Sequence, residues 1–206
     1  MINLYNMDCM EAMSNAPDNH WDLAICDPPY GIEDWAHSST EPKEERRKKR
    51  LKTQKWNNSI PSIEYFTELG RVSKHQIIWG ANYYPNLVGG MIVWYKHVRA
   101  PNMSKCEIAY TSKHQKVEYI DLIWQNINRK EPIIHPCQKP ISLYSILLNR
   151  YAKTGDRILD THLGSGSIAL ACHDMGFHLD GFEIDKEYFE AASKRLKNHQ
   201  RQLKLF

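Results

Sequence analysis

The sequence predicts an α/β fold, with one open, mostly parallel β-sheet and helices on both faces. Short apolar runs of strand length alternate along the chain with amphipathic helical patterns. The chain has 206 residues, which is the size of a single domain with its own core. Two of the loops that follow predicted strands are rich in glycine or proline, and ligands of such sheets bind beyond the carboxyl ends of the strands. We therefore expect one domain, residues 1–206, with its ligand-binding site at the carboxyl edge of the sheet.

The predicted elements follow one another along the whole chain. The clearest strand patterns are Ile2–Tyr5, Trp21–Cys26, Gln76–Trp79, Met91–Tyr95 and Arg157–Leu159. Weaker strand patterns cover Glu107–Thr111, Glu118–Trp124 and Leu179–Glu183. Helices are predicted over Ser62–Val72, Ser142–Tyr151, Ser167–Met175 and Lys186–Lys197. Apolar side chains recur on one face of the last two helices, so we expect that face to lie on the sheet and the basic residues of the last helix to point outward.

Composition excludes several classes of protein. Hydrophobic residues make up 42% and charged residues 25%, as in globular rather than disordered proteins. No apolar run reaches the roughly 18–20 residues of a membrane helix, and the first residues lack the pattern of a signal peptide, so we expect a cytoplasmic protein. The five cysteines are odd in number and form no C-x-x-C pair. We therefore expect neither a disulfide framework nor a zinc site built on paired cysteines.

The formal net charge of +3 is unevenly distributed. Eight basic and three acidic residues lie between Glu41 and Lys55, a net charge of +5 that leaves −2 for the rest of the chain. We interpret residues 33–58 as a charged, mobile insertion, and the polar stretch 96–131 as an elaboration for target recognition. Both a solvated loop and a contact to a polyanion fit the basic run. The candidate phosphate contacts are Arg46, Arg47, Lys48, Lys49, Arg50, Lys52 and Lys55.

A glycine-rich loop follows the strand Arg157–Leu159. It reads Asp160-Thr161-His162-Leu163-Gly164-Ser165-Gly166-Ser167 and leads into a helix. The two glycines allow a tight turn and let backbone N–H groups approach a ligand at the helix N-terminus. Glu183 ends the next strand, where a carboxylate can accept both hydroxyls of a ribose. The loop is typical of a nucleoside-cofactor site. However, Gly164-x-Gly166-x-x-Ala169 also satisfies the nicotinamide dinucleotide pattern, and a glycine turn that only packs a helix on the sheet stays open.

A second loop, Asp27-Pro28-Pro29-Tyr30-Gly31, ends the strand Trp21–Cys26. The two prolines lack backbone donors and fix the loop, so its carbonyl groups are available as hydrogen-bond acceptors. Asp27 adds a carboxylate and Tyr30 a flat ring. This pocket suits an aromatic ring that bears an exocyclic amino group, although a proline turn with a helix-capping Asp and a core Tyr is the structural alternative.

These motifs together resemble the amino-methylating DNA methyltransferases that use S-adenosylmethionine. Asp27-Pro28-Pro29-Tyr30 matches the catalytic D-P-P-Y of that family, and residues 135–140 match its H-P-x-Q-K-P segment. Residues 160–166 are similar to its D-P-F-x-G-S-G cofactor loop, followed by Gly181-Phe182-Glu183-Ile184-Asp185. The catalytic motif precedes the cofactor loop, as in the permuted β group of the family. The resemblance covers most of the chain and implies the class I methyltransferase fold, which is Rossmann-like.

The resemblance implies methyl transfer from S-adenosylmethionine to N6 of adenine, with N4 of cytosine as the alternative. Asp27 and the Pro28 carbonyl would accept hydrogen bonds from the amino group, and Tyr30 would stack on a base flipped out of double-stranded DNA. Lys139 would pair with the cofactor carboxylate, and the reaction needs no metal. The implied cofactor-binding residues are Asp8, Lys139, Asp160, Thr161, His162, Gly164, Ser165, Gly166 and Glu183.

The resemblance also carries expectations about context. It implies a protein of a bacterial or phage-infected cell, of the kind that belongs to restriction–modification systems. Dimers are common in the permuted group, so a homodimer is an expectation as well.

One departure from the family pattern concerns Thr161 and His162, which stand where the family usually has Pro-Phe. The Phe normally packs near the methionine part of the cofactor, and a neutral imidazole can pack in the same way. Titration of His162 near pH 6–7 would make cofactor binding sensitive to pH.

Two other classes of function remain as alternatives. The hypothesis of a nicotinamide-dependent oxidoreductase rests on the glycine pattern alone. A non-catalytic DNA-binding protein would keep the scaffold and the basic run, but the intact Asp27, Tyr30 and Glu183 argue against it.

Overall fold

The fold was analysed in a computed structural model that describes residues 1–32, 57–98, 103–124 and 134–201. Within these residues the strands are β1 (Ile2–Tyr5), β2 (Leu23–Cys26), β3 (Gln76–Trp79), β4 (Gly90–Tyr95), β5 (Cys106–Thr111), β6 (Val117–Asp121), β7 (Arg157–Asp160) and β8 (His178–Phe182). The helices are α1 (Cys9–Asn15), α2 (Ile63–Val72), α3 (Ile141–Tyr151), α4 (Ser167–Met175) and α5 (Lys186–Arg201). A short 3-10 turn covers Ala81–Tyr83. None of the helices in these ranges is both long and apolar enough to span a membrane.

The eight strands form one sheet in the order β1-β8-β7-β2-β3-β5-β4-β6. The pairs from β1 to β3 are parallel, as is β4 with β6. β5 runs antiparallel to both of its neighbours, β3 and β4. The prediction of an open, mostly parallel α/β sheet is therefore confirmed. The antiparallel β5 has one consequence for the site, because its first residues lie at the edge where the parallel strands end.

Two apolar layers cover the two faces of the sheet. On one face Leu143 and Leu147 of α3 pack with Ile168 of α4 and Leu196 of α5 against the sheet. On the other face α1 and α2 contribute the smaller layer, whose fully buried members include Met13, Leu69 and Val72. The helices thus lie on both faces, as the alternating sequence pattern predicts.

The predicted elements differ from the observed ones mainly at their ends. β2 starts at Leu23 because Trp21 makes only an isolated bridge with Ser73. Helix α1 is not predicted from the sequence, because its seven residues bury only Cys9 and Met13 and therefore show little periodicity. In the stretch 96–131, β5 lies inside the sheet and β6 at its edge. Residues 99–102 and 125–133 lie outside the described ranges, and a recognition role for this stretch stays a prediction.

Candidate active site

A cavity of about 370 Å³ lies at the carboxyl edge of the parallel strands, between the loops that follow β2, β7 and β8. Its volume lies in the range of small-molecule binding sites. The predicted site residues that line it are Asp27, Pro28, Pro29, Tyr30, Lys139, His162, Gly164, Ser165 and Glu183. Asp8, Asp160, Thr161 and Gly166 are not among its lining residues. The structure therefore brings the D-P-P-Y loop, the glycine loop and Lys139 to one cavity, although they are far apart in the sequence.

The glycine loop is tied to the strand that follows it. Gly164 and Gly166 have φ angles of 52° and 71°, a backbone conformation that favours glycine. The Gly164 N–H donates to Glu183 Oε2 at 2.8 Å, and the Asp185 N–H donates to Glu183 Oε1 at 2.9 Å. Burial raises the pKa of the Glu183 carboxyl despite these two bonds. Glu183 thus lines the cavity at a fixed position beside the loop.

Arg195 of α5 also holds this loop in place. Its Nη1 donates to the Ser165 carbonyl and to Ser167 Oγ, both at 2.9 Å. The expectation that all basic residues of α5 point outward is therefore wrong for Arg195. The helix packs so close to the loop that Arg195 lies against it, whereas Lys194 and Lys197 are exposed.

The side chains at the start of the loop are held among buried groups. Asp160 is 2% exposed, and burial raises the pKa of its carboxyl to about 8. Its Oδ1 accepts a hydrogen bond from the His162 N–H at 3.0 Å. Thr161 Oγ1 lies 2.7 Å from the Tyr65 hydroxyl and 2.9 Å from His162 Nδ1. This arrangement orients the imidazole at the cavity wall.

The pKa of His162 differs from the sequence-based expectation. Burial lowers it to about 4, so the ring is neutral at pH 6–7. The predicted titration in that range is therefore wrong. The ring lies edge-on to Tyr65, with centroids 5.5 Å apart, and lines the cavity as an uncharged aromatic group.

Asp8 has a structural contact that the sequence did not reveal. It is the N-cap of α1, and its Oδ1 accepts a hydrogen bond from the Met10 N–H at 2.8 Å. Its contact with the cofactor adenine stays a prediction.

In the D-P-P-Y loop, the acceptor groups are already bound by donors of the protein. The Tyr30 hydroxyl donates to Asp27 Oδ1 at 2.5 Å, and the Lys139 ammonium contacts Asp27 Oδ2. The Tyr84 hydroxyl donates to the Pro28 carbonyl at 2.8 Å and lies 3.1 Å from the Pro29 carbonyl. Each acceptor oxygen has more than one lone pair, so a substrate amino group can share or replace these donors.

Three residues that support this loop were missed by sequence reasoning. Asn57 is 3% exposed, and its Oδ1 accepts from the Tyr30 N–H at 2.8 Å. The Tyr83 ring stacks on the Tyr30 ring with centroids 5.0 Å apart. Tyr84 holds the proline carbonyls. A signal for the last two was present, since Gly80-Ala81-Asn82-Tyr83-Tyr84 is a glycine and aromatic loop directly after a predicted strand.

Gly80 explains why the Tyr30 ring can lie where it does. The glycine has a φ angle of 80°, and a Cβ at this position would lie 2.3 Å from Tyr30 Cε1. Only a residue without a side chain leaves room for the ring.

Lys139 is part of a buried cluster of charges. Its side chain is only 4% exposed, so Lys139 is not an ordinary surface lysine. Besides Asp27 it lies 3.2 Å from Glu107 Oε2, and Glu107 Oε1 lies 2.8 Å from the Lys96 ammonium. The predicted contact of Lys139 with the cofactor carboxylate stays a prediction.

The predicted DNA contacts, from Arg46 to Lys55, lie outside the described residues. The described residues on either side of this segment are joined at the site: Asn57 Nδ2 donates to the Ile32 carbonyl at 2.8 Å. The two described residues that flank the segment therefore lie next to each other beside the D-P-P-Y loop. Among the residues with described coordinates, no group of three or more His, Cys, Asp or Glu side chains is arranged to hold a metal ion.

The family model of the N6/N4 methyltransferases, described as DNA methylase, matches residues 73–194, which is more than half of the chain. The chain belongs to this family. The match contains the H-P-x-Q-K-P segment, the glycine loop and Glu183. Support for the nicotinamide alternative falls away, since it rested on the glycine pattern alone.

Several individual members of the N6/N4 methyltransferase family are similar in sequence. The chain is 37% identical over 79 residues to the type II methyltransferase M.HpaI of Haemophilus parainfluenzae, and 38% identical over 63 residues to M2.DpnII of Streptococcus pneumoniae. Each of these alignments spans about a quarter of the relative's length. The type II methyltransferase M2.MboI of Moraxella bovis is 24% identical over an alignment that covers 94% of this chain and 87% of the relative.

Solved structures share the fold of this chain at low sequence identity. The M1.HpyAVI complex with SAM has a TM-score of 0.61 at 20% identity, covering 95% of this chain and 100% of that one. A putative DNA modification methylase from Thermus thermophilus, complexed with S-adenosyl-L-methionine, has a TM-score of 0.59 at 16% identity, covering 98% of each chain. The cytosine-N4-specific PvuII DNA methyltransferase has a TM-score of 0.60 at 12% identity, covering 100% of this chain and 88% of that one. These similarities support the class I methyltransferase fold.

Proposed function

We propose that this protein transfers the methyl group of S-adenosylmethionine to the exocyclic N6 of adenine in double-stranded DNA. One observation carries the proposal: the acceptor groups of the D-P-P-Y loop and the glycine loop with Glu183 line the same cavity. A donor of a methyl group bound along one wall therefore lies within reach of an amino group bound at the other. Family membership supplies the reaction class, and the D-P-P-Y form of the motif favours adenine.

The glycine loop and Glu183, which form the wall of the cavity opposite the D-P-P-Y loop, fit a nucleoside cofactor. The Glu183 carboxylate lines the cavity at the end of β8, where it can accept hydrogen bonds from ribose hydroxyls. Backbone atoms of the glycine loop approach the cavity without an intervening side chain at Gly164, and the neutral His162 ring offers an apolar surface beside them. When bound, the cofactor supplies an electrophilic methyl group on a sulfonium sulfur.

The protein's own part in the reaction is to position and polarise the amino group. The lone pair of an exocyclic amino nitrogen is delocalised into its ring, which makes it a poor nucleophile. Hydrogen bonds from its two N–H groups to Asp27 Oδ1 and the Pro28 carbonyl favour a tetrahedral nitrogen with a localised lone pair. The Tyr84 hydroxyl holds the carbonyl in place, and the Tyr30 ring stacks on the flipped base.

The basic run is the proposed phosphate contact, because the described residues that flank its segment, Ile32 and Asn57, lie beside the D-P-P-Y loop. A homodimer, a cytoplasmic location and a role in restriction–modification stay predictions.

The proposal is tested with purified protein, S-adenosylmethionine and DNA that lacks modified bases, with digestion to nucleosides and mass spectrometry. The wild type is expected to form N6-methyladenine. Asp27→Asn is expected to lower the rate by about 10² to 10³ because the amino group loses a charged acceptor. The affinity of the variant for S-adenosylmethionine, measured by calorimetry, is expected to stay within about threefold, since Asp27 lies on the opposite wall.

Asp22→Asn is the matched control. Asp22 precedes β2 as Asp27 follows it, and it pairs with Lys74 at the other edge of the sheet. This variant is expected to keep the wild-type rate. Formation of N4-methylcytosine alone would overturn the choice of adenine, and full activity of Asp27→Asn would overturn the mechanism.

A further inference from the structure

Four charged side chains of alternating sign lie at one side of the acceptor pocket: Lys96, Glu107, Lys139 and Asp27. Glu107 stands between the two lysines, 2.8 Å from the Lys96 ammonium and 3.2 Å from that of Lys139. Lys139 in turn stands between the two carboxylates. The cluster contains two positive and two negative groups, so it is neutral as a whole.

The cluster is shielded from water on most sides. The side chains of Lys96 and Lys139 are 7% and 4% exposed. The Lys139 ammonium also lies 5.3 Å from the centre of the Trp79 ring and 5.9 Å from that of Tyr30, so aromatic faces and carboxylates surround it. Buried charges of this kind interact strongly and depend on each partner being present.

The fold brings Glu107 to this position. β5 is the antiparallel strand, so its first residues lie at the carboxyl edge of β3 and β4, and Glu107 is opposite Trp94. Lys96 follows the end of β4 at the same edge. A strand running in the common direction would place its first residues at the opposite edge of the sheet, away from Asp27.

The charges of the cluster support one another. Burial by itself raises the pKa of the Glu107 carboxyl, but the ammonium groups of Lys139 and Lys96 outweigh it and hold the pKa below its usual range. Burial by itself lowers the pKa of the Lys139 ammonium, but Asp27 and Glu107 outweigh it and raise the pKa. Both groups are therefore charged at neutral pH.

We propose that Glu107 is a positioning residue for Asp27 and acts through Lys139. Attraction from two carboxylates fixes the Lys139 ammonium between them, where it holds Asp27 by Oδ2 alone. Oδ1, which binds the Tyr30 hydroxyl, is then the oxygen offered to the amino group of the base. Without the Glu107 charge, two buried ammonium groups face one carboxylate, and Asp27 is drawn toward them out of its position. This role rests on the proposed function, since it orients Asp27 for that reaction.

The test is Glu107→Gln, which keeps the shape of the side chain and removes its charge. The single-turnover rate of methyl transfer is expected to fall by about tenfold to a hundredfold, the size of effect that a small misplacement of a reacting group produces. The dissociation constants for S-adenosylmethionine and DNA are expected to change less than about threefold. Loss of structure alone would not lower the rate selectively.

Glu68→Gln is the matched control. Glu68 lies on α2 and pairs with Arg71 at 2.7 Å rather than with the cluster. Its rate is expected to equal that of the wild type. If Glu107→Gln does not fold, the variant Lys96→Met/Glu107→Gln removes one charge of each sign. It keeps the cluster neutral, and its rate is also expected to be lowered, because the Lys139 ammonium is no longer fixed between two carboxylates.

A double-mutant cycle tests the positioning independently of activity. Glu107→Gln and Asp27→Asn are combined, and the equilibrium constant for unfolding in urea is measured. Because both carboxylates bind the same ammonium, the effect of the combined change is expected to differ at least about fivefold from the product of the single effects.

The outcomes separate this role from the proposed function. If the wild type methylates DNA and Glu107→Gln does so at the same rate, the positioning role is overturned and the proposed function stands. If the wild type transfers no methyl group to DNA, the proposed function fails, and the positioning role for that reaction is overturned with it. If the wild type methylates DNA, multiplicative effects in the cycle overturn the positioning role, and coupling together with a lowered rate of Glu107→Gln supports it.

Discussion

Asp160 and His162 show how burial in the cofactor loop changes ordinary side-chain chemistry. The pKa of Asp160 is raised to about 8 and that of His162 is lowered to about 4, both mainly by burial. At neutral pH burial thus favours the uncharged form of each group. The sequence places both residues in a cofactor loop, but it does not show how far each is removed from water. The expectation of a titrating His162 was wrong for that reason.

The pKa of Asp160 predicts a pH dependence of stability. Its unfolded pKa is about 3.9, so between that value and about 8 the folded state holds a proton that the unfolded chain has lost. The free energy of unfolding of the wild type therefore falls as pH rises through this window, relative to Asp160→Asn, by up to about 1.4 kcal/mol per pH unit. Urea unfolding of both proteins from pH 5 to pH 8 measures the difference.

Asp156→Asn, just before the same strand β7, is the control for this prediction. Its carboxylate is in solvent contact and accepts a hydrogen bond from the Lys153 N–H. The difference between this variant and the wild type is expected to stay nearly constant with pH. A constant difference for Asp160→Asn as well would show that its carboxyl titrates normally in the folded protein.

At the scale of elements, local patterns predicted most strands and helices, and long-range pairing determined the rest. The apolar runs of β2, β3 and β7 are visible in the sequence because most of their residues are buried in the sheet. The antiparallel direction of β5 is not visible, since it depends on partners in β3 and β4. The D-P-P-Y and glycine loops were predicted because each is continuous in sequence. Asn57, Tyr84 and Glu107 were missed because each reaches the site from a distant part of the chain.

The contact between α5 and the glycine loop gives a prediction at this scale. Arg195→Met removes the charged donor that binds the Ser165 carbonyl and Ser167 Oγ. The affinity for S-adenosylmethionine is expected to fall by about tenfold, because a hydrogen bond from a charged group contributes about 1.5–3 kcal/mol and the loop loses its fixed position. Calorimetric titration with the cofactor measures the change.

Lys194→Met is the matched control, since Lys194 is the preceding residue of the same helix and is exposed. It is expected to bind the cofactor with wild-type affinity. Equal affinities for the two variants would mean that the loop keeps its shape without Arg195.

At the scale of the whole molecule, the distribution of charge matters more than its sum. A net charge of +3 does not identify a partner, but a net charge of +5 falls within residues 41–55. The described residues that flank this part of the chain, Ile32 and Asn57, are hydrogen-bonded to each other beside the D-P-P-Y loop. The remaining net charge of −2 is spread over the rest of the chain.

Replacing the five consecutive basic residues from Arg46 to Arg50 by Gln tests the proposed contact with DNA phosphates. DNA affinity is expected to fall, and the slope of log K against log salt to become shallower by up to about 0.9 for each phosphate that the protein no longer neutralises. Affinity for S-adenosylmethionine is expected to stay unchanged. Fluorescence anisotropy with a DNA duplex over a range of salt concentrations measures the slope, and an unchanged slope would favour the interpretation of a solvated loop.

Methylation of adenine in DNA through the D-P-P-Y loop is measured by sequencing that detects modified bases. The DNA comes from a bacterial strain that has no adenine methylation of its own and expresses either the wild type or Asp27→Asn. N6-methyladenine is expected at one short sequence motif with the wild type, and far less of it with the variant. Unmodified DNA in both strains, despite folded protein, or equal methylation by both, would contradict this expectation.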